Sequence, residues 1–117
     1  MGVGAPAIGW GLYSGYNLAR MAYEIVLAPG AVATLNGLST PVRTGVKEAI
    51  EQHLRHEPTK VSKSRIKRLR GLSQPQYRLR VDDIRVFYDV TEAQVQVLAI
   101  VTKAEAQAWL DEQGTAD

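Results

Sequence analysis

The stretch QYRLRVDDIRVFYDV, Gln76–Val90, decides the fold. Tyr77, Leu79 and Val81 alternate with Arg78 and Arg80. Beyond Asp82-Asp83, Ile84, Val86, Tyr88 and Val90 alternate with Arg85, Phe87 and Asp89. Alternate side chains of a strand point to opposite faces, so two period-two runs around two turn-forming residues predict a β-hairpin. With Asp82 and Asp83 as the turn, Val81 faces Ile84, Arg80 faces Arg85, Leu79 faces Val86 and Tyr77 faces Tyr88. One face is apolar and must be covered. The other carries Arg78, Arg80, Arg85 and Phe87, with Arg80 and Arg85 both expected to point to solvent. Arginines directly opposite each other repel, at a cost of up to ~1 kcal/mol. An anion between them turns that repulsion into a shared clamp; the alternative is neutralisation by Asp82, Asp83 or Asp89.

Working outward, Gln94–Val101 (QVQVLAIV) is an apolar run that predicts a strand beside the hairpin, central in the sheet. Thr102-Lys103-Ala104-Glu105 has the form of a capping box, so a final helix begins there, with Ala106, Trp109 and Leu110 as its apolar stripe and Gly114 at its end. On the N-terminal side, Ala22–Ala28 reads as a strand closed by Pro29-Gly30, and 29–38 as a short helix. A stronger helix starts with Thr40 as N-cap and Pro41 at the first helical position. Its stripe is Val42, Val46, Ala49, Ile50, His53 and Leu54, and Pro58 stops it. A loop then leads to an irregular strand around Ile66–Leu69. The expected class is α+β: a small twisted antiparallel sheet packed against two N-terminal helices, with a short C-terminal helix.

Charge is polarised along this chain of 117 residues. Thr59–Val81 holds eight of the fourteen Lys and Arg and none of the twelve acids. A net charge of only +2 therefore hides a basic segment set against an acidic remainder, the footprint of a site for a polyanion such as RNA or DNA phosphate. The bland reading is a solvated basic loop. There is no cysteine, hence no disulfide framework and no thiolate metal site, which is compatible with a reducing cytoplasm. His53 and His56 stand three apart without a third ligand, so no metal is expected. No phosphate-binding glycine loop, dinucleotide fingerprint or Ser-His-Asp arrangement occurs, and no cofactor is expected. Residues 1–20 are glycine-rich and uncharged before Arg20, too broken for a membrane span. They are expected to be a dispensable extension preceding one domain over 21–114 and a polar tail at 115–117.

The order strand, two helices, basic loop, arginine hairpin, strand, helix resembles the RelE/ParE superfamily of bacterial toxins. Three stretches carry the likeness: MAYEIVLAPGAVATLNGLS, IKRLRGL with QPQYRLRVDDIRVFYDV, and VLAIVTKAEAQAWL. The second is similar to the family pattern L-x-G … Y-R-L-R-x-x-x-x-R-V-x-Y. The resemblance covers Met21 to Gln113.

That resemblance implies the toxin of a toxin–antitoxin pair. RelE-type members cut mRNA in the ribosomal A site; ParE-type relatives inhibit DNA gyrase without nuclease chemistry. A cognate antitoxin covers the basic cleft, and the complex binds operator DNA through the antitoxin. Carried onto this chain, Arg78 and Arg80 match the paired basic positions of the first hairpin strand and Arg85 the phosphate-clamping arginine of the second. Lys103 is the one base available after the last long strand, where family members carry Arg or His. Trp109 stands where a tyrosine is usual. The RNA-contacting set is Lys60, Lys63, Arg65, Lys67, Arg68, Arg70 and Phe87. The leading expectation is a ribosome-dependent endoribonuclease. Its rivals are a gyrase inhibitor and a non-toxic basic nucleic-acid-binding module.

Overall fold

A computed structural model describes residues 22–117; the expectation for residues 1–20 lies outside the described residues. The elements in chain order are β1 (Glu24–Leu27), α1 (Pro29–Gly37), α2 (Thr40–Leu54), β2 (Ile66–Arg68), β3 (Leu72–Gln74), β4 (Tyr77–Val81), β5 (Ile84–Val90), β6 (Gln94–Thr102), α3 (Lys103–Gln113) and β7 (Thr115–Ala116). Five strands form the main sheet in the order β1-β6-β5-β4-β2.

The β4–β5 hairpin has the register expected from period two, with Arg80 opposite Arg85 and Tyr77 opposite Tyr88. Asp82 takes a left-handed turn conformation, φ 51, which a short polar residue tolerates better than a branched one. The sheet is not wholly antiparallel as expected. β1 pairs in parallel with β6, Ile25 beside Val95 and Leu27 beside Val97. A parallel pair needs a long crossover, here everything from α1 to β5, and no local pattern announces it. β6 carries an irregularity opposite Phe87/Tyr88, where Leu98 is the extra residue.

α1 and α2 cover the apolar face. Ala31 and Leu35 of α1 and Val46, Ile50 and Leu54 of α2 are buried against Leu79, Val81, Ile84, Val86, Tyr88, Val95, Val97 and Ile100. Val42, expected in the α2 stripe, is exposed, and His53 is half-buried. Ser39 rather than Thr40 is the N-cap of α2, and its side chain makes no capping bond. Arg43 instead reaches back, its Nη1 donating to the carbonyls of Asn36 and Leu38 at the end of α1. Tyr88 donates its hydroxyl to Pro58 O at 2.6 Å, tying the loop after α2 to the core. Burial, chiefly, raises the Tyr88 phenol pKa well above its ordinary value.

α3 begins with the expected capping box, Thr102 Oγ1 accepting from Glu105 N and Glu105 receiving the Thr102 N–H. It ends at Gly114, where a Cβ would meet Leu110 O at 2.5 Å. The residues read as a tail pair instead with β3 as a second, two-stranded sheet. Asp117 N donates to Gly71 O, and Gly71 itself has φ 75. Among the described residues no helix is long and apolar enough to cross a membrane.

Candidate functional site

The face of the sheet turned away from α1 and α2 is built by the same alternation that builds the core. Lys67 lies opposite Arg78 across β2–β4, and Arg80 opposite Arg85 across β4–β5, so four cationic side chains share one side of three adjacent strands. Arg65 borders Arg80 at the sheet edge: Arg80 N donates to Arg65 O at 2.9 Å, and Arg65 Nη1 donates to Arg80 O at 3.3 Å.

The three hairpin arginines are held differently. Arg80 is exposed. Arg85 is 8% exposed, and its Nη1 donates to Asp82 O at 2.7 Å and Ile84 O at 3.0 Å. The expectation that Arg85 points to solvent is therefore corrected: α3 sits over this part of the sheet, and the guanidinium braces the turn. Arg78 is half-buried, and its Nε is buried with no hydrogen-bond partner among the described residues. Burial, then the charges of Arg85 and Arg80, lowers the Arg78 pKa, with a partial opposing effect from Tyr88. It remains a cation at neutral pH. Among the described residues none of the three is ion-paired. The hairpin aspartates do not neutralise them. Asp82 contributes a backbone carbonyl, and Asp89 accepts from Gln74 Nε2 at 2.6 Å and Gln76 N at 2.8 Å. A desolvated guanidinium donor without a partner, beside two like charges, is unfavourable alone and favourable with an oxyanion in reach.

No protein-family model matches the chain, and no curated protein does. Solved structures do. The archaeal RelE–RelB complex from Pyrococcus horikoshii OT3 matches with a TM-score of 0.59 and 24% identity, over 71% of this chain and 97% of that one. The RelB–RelE antitoxin–toxin complex from Methanococcus jannaschii matches with a TM-score of 0.54 and 18% identity, over 72% and 96%. A double arginine-to-alanine mutant of E. coli toxin RelE in the free state matches with a TM-score of 0.58 and 25% identity, over 79% and 94%. The fold is RelE-like.

Other positions singled out in the sequence fall into three places on this RelE-like fold. Lys103 is the exposed first residue of α3, and its backbone N–H donates to Asp83 O at 2.8 Å, which puts it at the turn end of the hairpin. Arg70 and Lys67 line a cleft of about 630 Å³ between the β2–β3 segment and α3, walled by Leu69, Leu72 and Leu110 and closed by Gln107 and Asp111. Gln107 and Asp111 were not marked by the sequence; only their spacing of four on one helix, which lets Gln107 Nε2 donate to Asp111 at 2.9 Å, hinted at a shared face. Lys60 and Lys63 lie apart, exposed in the loop before β2.

Two expected RNA contacts are corrected. Phe87 is 1% exposed and stacks on Trp109, ring centroids 5.2 Å apart and planes 12° from parallel. The half-buried indole thus covers the very ring expected to meet a base. Arg68 lies on the opposite face, beside its strand partner Tyr77, with its guanidinium 5.3 Å from that ring. Its Nη1 donates to Leu69 O at 2.9 Å and Gln76 O at 2.8 Å, so it holds the β2–β4 edge together.

A second concavity of about 520 Å³ lies on the helix side, lined by Leu38, Pro41, Val42, Val46, Val81 and Ile84 among others. It is an apolar groove beside α2. No group of three or more metal-ligating side chains occurs among the described residues.

Proposed function

We propose that this chain is the toxin of a toxin–antitoxin pair and acts in the cytoplasm by cutting mRNA on the ribosome. The observation that carries the reading is the unpaired arginine trio, with the buried Nε of Arg78 unpartnered beside exposed Arg80. The 2′-hydroxyl would give its proton to solvent water as its oxygen bonds to phosphorus, and the bond from phosphorus to the 5′-oxygen would break with that oxygen taking up a proton, leaving a cyclic phosphate and a free 5′-hydroxyl. Negative charge builds on the non-bridging oxygens, and fixed cationic donors stabilise it. Arg78 and Arg80 would meet those oxygens, with Arg85 holding the turn and adding charge from beneath. Lys103, at the turn end, would supply positive charge or a proton to the leaving oxygen. Lys67, Arg65 and Arg70 would extend the phosphate track. A cognate antitoxin would lay an acidic segment over the arginine face and an apolar one in the groove beside α2. Support for the partner is that two of the matched structures are toxin–antitoxin complexes. Operator DNA would be bound through the antitoxin.

Brief induction in bacteria followed by primer-extension mapping of mRNA tests the reading. Cuts inside translated codons, lost in Arg78→Ala/Arg80→Ala, are expected. A second reading, inhibition of DNA gyrase without catalysis, draws on the make-up of the same strands: among the described residues the exposed face presents lysine and arginine and no histidine or tyrosine. Arginine is a poor general base, its pKa above ~12. Growth arrest with intact mRNA and a DNA-damage response would favour that reading.

A further inference from the structure

A pocket of about 310 Å³ lies between the last turn of α2 and the loop entering β2. His53, Glu57, Lys60, Ser62, Ser64 and Arg65 line it. The loop is pinned: Ser62 Oγ accepts from Arg65 N at 3.0 Å and Ile66 N at 3.3 Å, and Ser62 N donates to Ile66 O at 2.9 Å. Arg65 is thereby fixed as one wall. The carboxylate present, Glu57, stands 3.8 Å from Lys60, and both side chains are largely exposed, a contact of little strength. An imidazole, two cations and two hydroxyls therefore converge on one space with one weakly engaged acid.

We propose that this pocket binds a phosphate group of an RNA strand whose neighbouring phosphates lie on the arginine face, and that His53 takes up a proton from solvent as it does so. The inference rests on RNA being the ligand of that face. Arg65 joins the two places, because it lines the pocket and exchanges hydrogen bonds with Arg80 in the next strand, about 4.8 Å away. Several donors and hydroxyls surrounding one space suit the oxygens of a phosphate better than the two of a carboxylate. In the free protein, burial and then the charge of Arg65 hold the His53 pKa below its ordinary value. Glu57, Lys60 and Arg65 are the charged groups facing it in the pocket. A bound anion reverses the balance and favours imidazolium.

Two measurements on the full chain test this. Inorganic phosphate is titrated between pH 6 and 8 while the His53 imidazole is followed by NMR. A short single-stranded RNA is bound at the same pH values and fixed ionic strength, read by fluorescence anisotropy, with His53→Gln, Lys60→Gln and, as control, His56→Gln. One partly exposed charge-assisted contact gives RNA binding about five-fold tighter at pH 6 than at pH 8. His53→Gln is expected to lose that gain, His56→Gln to keep it, and Lys60→Gln to weaken binding at both pH values. His53 signals unmoved by phosphate, or an equal pH gain in His53→Gln, would overturn the proposal. Phosphate shifts with unchanged RNA affinity in His53→Gln would overturn the RNA assignment and leave a free-phosphate site. A His53-dependent gain in a protein that cuts no mRNA would uphold the pocket while the endoribonuclease reading falls.

Discussion

Leu79 and Arg80 are neighbours in β4 and face opposite ways. On the side of Leu79, which is fully buried, the buried cluster is apolar apart from Tyr88, whose hydroxyl has a carbonyl to meet. On the side of Arg80, like charges face each other, one guanidinium donor is buried without a partner, and among the described residues no acid pairs with the trio. One face is arranged for stability. The other tolerates electrostatic conflict, which makes sense where an anion from outside is to resolve it.

The sharpest break of that contrast is Leu79→Ala. It leaves a cavity under α2 and should cost about 2–5 kcal/mol in denaturant unfolding, whereas Arg80→Ala, on the exposed side, should shift stability by less than ~0.5 kcal/mol. Arg85→Ala comes next. It frees the carbonyls of Asp82 and Ile84 and should cost about 1–2 kcal/mol; an unchanged midpoint would show that the guanidinium does not brace the turn. Arg78→Met should go the other way, raising stability by up to ~1 kcal/mol in the same assay while mRNA cleavage is lost, since it removes a desolvated donor and a like charge. Destabilisation there would mean that Arg78 serves the fold.

The smallest effect is a slope with pH. His53 has a native pKa below its ordinary value of 6.5, so unfolding takes up protons as pH falls through the histidine range. Its contribution is present above that value and lost as pH drops below it. His53→Gln should flatten the fall in thermal midpoint between pH 7 and 5, and added phosphate should offset it in the wild type.

How far the sequence revealed this depended on the range of each interaction. The hairpin register, its two-residue turn and the Thr102–Glu105 cap are written in neighbouring residues, and all three appear in the structure. The β1–β6 pairing and the small β3–β7 sheet join residues far apart, and nothing local marks them. Among candidate site residues, alternation put Arg78, Arg80 and Arg85 on one face correctly. It did not reveal that α3 lies on that face, because α3 has no fully buried residue and so a weak apolar signature. Burial of Arg85 and of Phe87 beneath Trp109 follows from that one packing event, and period two alone says nothing about which face a distant helix will choose. For Arg68 the reason is simpler: a basic run reads as one unit in sequence, although alternate residues of β2 face opposite ways.

The parallel pairing of β1 with β6 has a consequence for how the chain is made. Synthesis runs from the N-terminus, so β1 waits as an unpaired strand while roughly seventy residues, Ala28 to Ala93, are added before its neighbour emerges. Until then α1 and α2 have an incomplete sheet beneath them, and α3, which frames the arginine face, has not been made. A nascent chain therefore carries its basic segment long before it carries an ordered site, and the finished surface appears only once β6 and α3 have been added.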